Sequence, residues 1–228
     1  MAATLPIGII FLTRRELEYC DSSLSRIAKL GFVQTMVKDL EVLNKEQFDG
    51  QIKMFIQQNN IPLVNLVIVL SDSVLFEKDI PMSQNAQDSN QEDDAQTFID
   101  IIPFENTASK IYQFESGLRV IATNRDFYET VSTAFEAQGF PTVAVLPAFV
   151  FGKPIETLDL ETCQQIITKY DSLRQYSLLF DGTSTQQSHR EEQKKNELSK
   201  KITPKFLTYI GIFIILIIVF IILYIMNR

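Results

Sequence analysis

The stretch "TPKFLTYIGIFIILIIVFIILYIMNR" at the end of the chain constrains everything in front of it. Residues 206–226 carry no charged side chain. At about 1.5 Å of rise per residue they span roughly 30 Å as a helix, the hydrocarbon thickness of a bilayer. Thr203 stands in N-cap position and Pro204 at the first helical position, where a missing N–H costs nothing. Tyr209 and Tyr224 fall near the two ends, where amphipathic rings favour the interface. The alternative, a buried helix of a globular core, fits poorly with this length and with the lack of a polar face. The expectation is a single transmembrane helix.

Charge then assigns the sides. Arg190, Lys194, Lys195, Lys200, Lys201 and Lys205 precede the helix closely, and Arg228 follows it. The excess of cations before the helix places residues 1–205 in the cytoplasm of a cell membrane. The opening "LPIGIIFLTRR" puts its charges after the apolar run, which is not the order of a signal peptide. Cys20 and Cys163 do not suggest a disulfide framework, and a reducing compartment suits them. Net charge is -7 for the chain, but residues before 184 hold 14 basic and 25 acidic side chains, net -11. An acidic body on a basic stalk excludes nucleic acid as the natural partner, because phosphate binding needs clustered Lys and Arg.

Periodicity organises the body, 1–182. "IGIIFL" and "ELEYC" read as two strands around a turn at Thr13–Arg15, and "FVQTMVKDLEVL" (Phe32–Leu43) as a third. Asn44 and Gln47 make a capping-box pattern, followed by Phe48, Ile52, Phe55 and Ile56 on one helical face. "LVNLVIVL" is a buried strand, and "SVLFEKDIP" an extended piece after a turn at Ser71–Ser73. Residues 82–97, almost without apolar side chains, read as a flexible loop. Its Glu92, Asp93 and Asp94 lack the spacing and turn glycine of a calcium loop. "SKIYQFESGLRVIATN" reads as two strands around Glu115–Gly117. A helix with Phe127, Val131, Ala134 and Phe135 on one face ends at Gly139, and "PTVAVLP" is a strand. A last helix runs near 160–179 with Cys163, Ile166, Ile167, Tyr170 and Leu173 inward. Residues 183–205 form a basic polar linker.

The chemistry of catalysis is thinly represented. His189, the single histidine, lies in the linker, which excludes histidine triads, Cys–His dyads in the core and histidine metal sites. No glycine-rich phosphate loop occurs. Carboxylate pairs such as Glu16/Glu18 and Asp171/Asp181 exist, as any acidic protein supplies them. Cys163 reads as a core residue rather than a nucleophile. No enzyme, metal or cofactor is expected.

Four stretches in order resemble the actin-like pilus-assembly and secretion proteins of the PilM/GspL type. "PIGIIFLTRRELEYC" stands where that family has its first two strands. "KEQFDGQIKMFIQQNNIPLVNLVIVLSDSVLFEKDIP" resembles its helix, buried strand and following extended piece. "FIDIIPFE" resembles the Pro-Phe segment that opens its inserted subdomain, and "GLRVIATNRDFYETVSTAFEAQGFPTVAVLP" its strand, helix, turn and next strand. The likeness covers roughly residues 5–150. It implies an α+β (α/β) fold: a truncated actin-like, ribonuclease H-like half with an inserted strand–helix–strand–strand subdomain at about 80–150, plus the C-terminal membrane helix. The departures bear on mechanism. Where the family has an Asp-Ile-Gly phosphate loop, this chain has Phe11-Leu12-Thr13-Arg14-Arg15, with neither the metal-holding Asp nor the Gly that lets backbone approach phosphate. The second half of the actin-like fold is not expected either, so nucleotide binding is not.

These readings converge on a membrane-anchored, nonenzymatic adaptor of a type IV pilus or type II secretion-like assembly. It would dock other assembly proteins through residues 98–150, by a sheet edge or the helix carrying Phe127, Tyr128, Val131 and Phe135, with Phe104 nearby. Lys194, Lys195, Lys200, Lys201 and Lys205 would lie at the membrane surface. A second copy of the chain is a further admissible partner. A tail-anchored trafficking or fusion protein is the rival, but residues 183–205 hold only Leu198 and Ile202 as large apolar groups. A membrane-tethered enzyme with a Ser/Lys or carboxylate site is a third reading.

Overall fold

The computed structural model describes residues 5–24, 26–82 and 91–180. The expected linker 183–205 and membrane helix 206–226 lie outside the described residues, as do His189, Lys194, Lys195, Lys200, Lys201 and Lys205. Among the described residues no helix is long and apolar enough to cross a membrane.

Along the chain run β1 (Ile7–Leu12), β2 (Glu16–Asp21), β3 (Ala28–Gly31), β4 (Val37–Lys38) and β5 (Glu41–Val42), then α1 (Lys45–Asn59) and β6 (Asn65–Leu70). They are followed by β7 (Phe76–Pro81), α2 (Gln91–Asp100), β8 (Thr107–Phe114), β9 (Gly117–Asn124), α3 (Arg125–Glu136), β10 (Thr142–Pro147) and α4 (Leu160–Leu173). The main sheet has five strands in the order β10-β6-β1-β2-β3. β6 and β10 run parallel to β1, while β2 is antiparallel to both its neighbours. An antiparallel meander extended on its first strand by parallel crossovers, with helices on both faces, makes this a mixed-sheet α/β fold.

Both faces of this sheet are buried, so its strands read as apolar runs. Ile10, Leu12, Leu17, Tyr19, Leu66, Ile68, Leu70 and Val145 point to one face, with Phe48, Ile52 and Phe55 of α1 and Phe127, Tyr128, Val131 and Phe135 of α3 packed in the same core. Ile9, Phe11, Cys20, Val67, Val69, Ala144 and Leu146 point to the other, beneath Cys163, Ile166 and Tyr170 of α4. Gly8 permits a close approach on the first face: a Cβ there would lie 2.6 Å from Val64 and 3.0 Å from the Tyr19 hydroxyl.

The second sheet, order β7-β9-β8, is inserted between β6 and α3. With α2 it makes a strand–helix–strand–strand unit. Its turn needs Gly117, whose φ is 141° and whose Cβ would stand 2.1 Å from the Ile80 carbonyl oxygen. Ile80, Ala95 and Val120 form a small core with Phe98, Ile99 and Leu118 where α2 crosses the sheet.

Four expectations need correction. Phe32–Leu43 is not one strand but a tight hairpin, β4–β5, turning on Asp39 (φ 50°) and Leu40 (φ 65°). Two left-handed residues are what a two-residue hairpin requires, and Leu40 is held there by burial and by Asn124, whose side chain donates to its carbonyl. Residues 91–97 belong to α2 and not to a loop. Glu92, Asp93 and Asp94 occupy its first turn, where the helix dipole favours carboxylates, and Ala95, Phe98 and Ile99 share its inward face. The last helix stops at Leu173, and Arg174–Phe180 continues as two short 3-10 turns. Finally, Cys20 and Cys163 are joined in a disulfide. They are 143 residues apart in sequence, yet β2 and α4 bring their Cα atoms to 6.4 Å, within bridging reach.

Candidate functional site

In open α/β sheets ligands sit beyond the carboxyl ends of the parallel strands. Here that end is built from the turn Thr13–Arg15 after β1, Ser71–Ser73 after β6, and Ala148–Phe151 after β10. Every backbone N–H of the first turn already has an acceptor in the protein. Thr13 N donates to the Glu16 carbonyl at 3.0 Å, and Arg14 N to Ser73 Oγ at 3.4 Å. The Thr13 hydroxyl oxygen accepts from Arg15 N at 3.2 Å and Glu16 N at 3.0 Å. The Arg14 guanidinium donates through Nε to the Ser73 carbonyl, and the Ser71 and Ser73 hydroxyls bond each other at 2.6 Å. A phosphate cradle needs free N–H groups converging on one point and a carboxylate to hold the metal. This turn has its donors engaged and offers Thr and Arg in place of the carboxylate. A nucleotide with its metal does not fit these residues. Among the described residues no group of three or more His, Cys, Asp or Glu side chains could hold a metal ion.

The carboxylate pair Glu16/Glu18 is structural. Glu18 is fully buried and accepts from Leu158 N at 2.5 Å, Thr157 Oγ1 at 2.6 Å and the Lys29 ammonium. Burial pushes its carboxyl up, but the donors of Leu158, Lys29 and Thr157 outweigh that and hold it below the ordinary range. It ties the segment before α4 to β2. Asp21 is equally occupied, accepting from the Tyr19 hydroxyl, from Ser23 and from Leu24 N. Burial, and then the Asp21 carboxylate, raise the Tyr19 phenol well above its usual range.

The inserted sheet presents a different surface. Its two edges are β7 and β8. β7 carries Glu77, Lys78, Asp79 and Pro81, and such a charged strand ending in proline is a poor template for another chain. Asp79 forms a two-point pair with Arg119 at 2.6 and 2.8 Å, and hydrogen bonds from Arg119 hold its carboxyl below the ordinary range. The Arg119 guanidinium also lies 5.1 Å from the Phe149 ring centroid, joining insertion to body. On β8, Phe114 pairs with Gly117 across the two-residue turn, so alternate residues Ile111 and Gln113 direct their backbone groups away from β9. Ile111 and Phe114 are 42% and 45% exposed.

Beside β8 runs Arg174–Phe180. The Lys110 ammonium donates to the carbonyls of Ser177 (2.6 Å) and Gln175 (3.3 Å), and the Tyr112 hydroxyl to that of Tyr176 (2.9 Å). Ser177 Oγ accepts from Val145 N of β10 at 3.0 Å, and Leu178 is buried. The segment is a strap fastened to both sheets, just before the chain passes residue 181.

Of the residues expected to dock a partner, Phe127, Tyr128, Val131 and Phe135 are at most 1% exposed and belong to the core. The amphipathic stripe of α3 faces the sheet, and its outer face is polar, with Asp126, Glu129, Thr133 and Glu136. A partner cannot reach those four side chains in the folded body. Phe104 is half-buried and meets Phe76 edge-on at 5.7 Å. What sequence reasoning missed is the β8 edge itself. Two strands around Gly117 were legible, but which of them would lie at the margin was not.

No protein-family model matches this chain, and no curated protein does. Solved structures do. The chain is similar to a PilM–PilN type IV pilus biogenesis complex at 13% identity and a TM-score of 0.47, over 65% of this chain and 49% of that one. It is similar to the cytoplasmic domain of EpsL, an inner membrane component of the type II secretion system of Vibrio cholerae, at 14% identity and 0.39, over 65% and 59%. A Bacteroides thetaiotaomicron protein of unknown function with an actin-like ATPase fold gives 10% identity and 0.30, over 57% and 49%. The chain therefore covers between about half and three-fifths of the solved chains it matches.

Proposed function

We propose that this chain is a membrane-anchored, nonenzymatic adaptor of a pilus- or secretion-type assembly, docking another protein of that assembly along the edge of β8. One observation carries the reading: the end of the sheet where a nucleotide would sit has its donors engaged by Thr13, Ser73 and Glu16, whereas β8, among the described residues, lies at the margin of its sheet with Ile111 and Phe114 exposed. An extended segment added there gains main-chain hydrogen bonds, with Ile111 and Phe114 providing apolar contacts. The anchor is residues 206–226, and the body lies on the side of the basic linker. The Cys20–Cys163 bond is one that a reducing cytoplasm opens and an oxidising compartment keeps closed. The assembly type follows the sequence resemblance.

The test is site-specific photo-crosslinking in native membranes. A crosslinking residue replacing Gln113 on the β8 edge is expected to capture one discrete partner, and one replacing exposed Lys53 on α1 is not. Ile111→Pro, which removes an outward N–H from the edge, is expected to abolish capture. Equal capture at both positions, or none at Gln113, contradicts the reading.

A further inference from the structure

The disulfide sits at an informative place. Its two residues are buried, Cys20 in β2 and Cys163 in α4, and it fastens the back layer of the molecule to the sheet. α4 turns few large side chains inward: Ile166 and Tyr170, with Ile167 and Leu173 half-buried. The segment before α4 is held by Glu18, through Thr157 and Leu158, and the strap Arg174–Phe180 follows it. A covalent tie in the first turn of α4 adds to these contacts in holding the layer on the sheet. We propose that the Cys20–Cys163 bond is a redox latch: closed, it keeps α4 and the strap on the body; opened, it lets that layer lift while the α1/α3 layer stays in place.

The chemistry balances simply. Closing removes two protons and two electrons from the two thiols and delivers them to an oxidant such as a small-molecule disulfide, which becomes two thiols. Opening takes two electrons and two protons from a dithiol reductant, which becomes a cyclic disulfide. Thiolate attack needs access to a sulfur, and both sulfurs lie under α4, so opening is coupled to lifting of the helix. Once reduced, the two cysteines are ordinary small apolar side chains, and the layer is retained by packing, by the Glu18 network and by the bonds of Lys110, Tyr112 and Val145 to the strap. A reducing cytoplasm favours the open latch and an oxidising compartment the closed one. The latch thereby links the redox state of the surroundings to α4 and the strap. It stands independently of the adaptor reading.

Hydrogen–deuterium exchange on the full chain in detergent micelles, with and without dithiothreitol, tests this. Alkylation after denaturation is expected to find no free thiol in the oxidised chain and two in the reduced one. Reduction is expected to speed exchange of residues 160–180 by at least ~10-fold, while α1 and α3 change by less than about 2-fold. Cys163→Ala is expected to reproduce the fast pattern without reductant; if it does not fold, the reductant comparison on the folded chain decides alone. Equal protection of α4 in both states overturns the proposal. So does the same acceleration in every element, or two free thiols in the folded chain after oxidation.

Discussion

On the α1/α3 side of the main sheet, two helices meet a continuous apolar surface, and aromatic rings fill the gaps: Phe32 against Phe48 at 5.9 Å, Phe32 against Phe127 at 6.2 Å, Phe135 against Phe140 at 6.0 Å. On the α4 side a single helix lies over a smaller apolar surface, and specific ties supplement it: the buried Glu18 carboxylate and the Cys20–Cys163 bond. The first face is held by many interchangeable contacts, the second by a few that are not. Packing of the first kind is robust to chemistry and sensitive to volume. Fastening of the second kind responds to pH and redox state. The second layer is also the one that leads into the strap and the C-terminal tail.

The sharpest way to break this contrast is to remove volume on the two sides separately. Phe135→Ala is expected to cost about 3–5 kcal/mol, and Ile166→Ala about 2–3 kcal/mol with the disulfide intact, measured by urea unfolding of the full chain in detergent. A larger loss at Ile166 would reverse the comparison. Next in size, Glu18→Gln is expected to cost about 2 kcal/mol, since charge-assisted bonds to buried donors are weakened.

That variant also carries a pH signature. The Glu18 carboxyl is held below the ordinary carboxylate range when folded. Its contribution is therefore fully present above the unfolded value and is lost as pH falls through the lower folded one. As pH falls below the ordinary glutamate value of about 4.3, thermal melting of the wild type should converge on that of Glu18→Gln. A constant gap between them would assign Glu18 a merely steric role.

Smaller effects separate the helix caps on the first side. Asn124 accepts from Asp126 N and donates to the Leu40 carbonyl in a buried setting, so Asn124→Ala is expected to cost about 2 kcal/mol. Asn44 accepts only from Gln47 N at an exposed site, and Asn44→Ala should cost about 0.5–1 kcal/mol. Equal losses would mean that the Asn124–Leu40 bond, which pins the β4–β5 hairpin to α3, adds nothing.

Local signals carried much of this fold. Asn44 and Gln47 announced α1, and the structure caps it as their spacing requires. The stripe of Phe127, Val131, Ala134 and Phe135 announced α3, and the runs IGIIFL and LVNLVIVL announced the two central strands. Failures came where tertiary context overrode local pattern. α2 was hidden because its polar first turn was read apart from Phe98 and Ile99, which complete its inward face. The β4–β5 turn uses Asp39 and Leu40 where Asn-Gly is the usual signal, and only the burial of Leu40 explains it. Nothing local to Cys20 or Cys163 indicates that they meet. The docking residues chosen from the α3 stripe were misassigned for a related reason: an apolar helical face is the signature of a core contact and of a binding surface alike. The turn after β1 was half legible. The missing Asp and Gly could be seen in "FLTRR", but the capture of the turn's N–H groups by Thr13 and Ser73 could not.

In the proposed function the body works by adhesion and not through a bound nucleotide. Titration of the purified full chain with a fluorescent adenosine triphosphate, with and without magnesium, tests it most directly. The account predicts no saturable signal in either condition and no change on Arg14→Ala. Saturable, magnesium-dependent binding that Arg14→Ala weakens would contradict it.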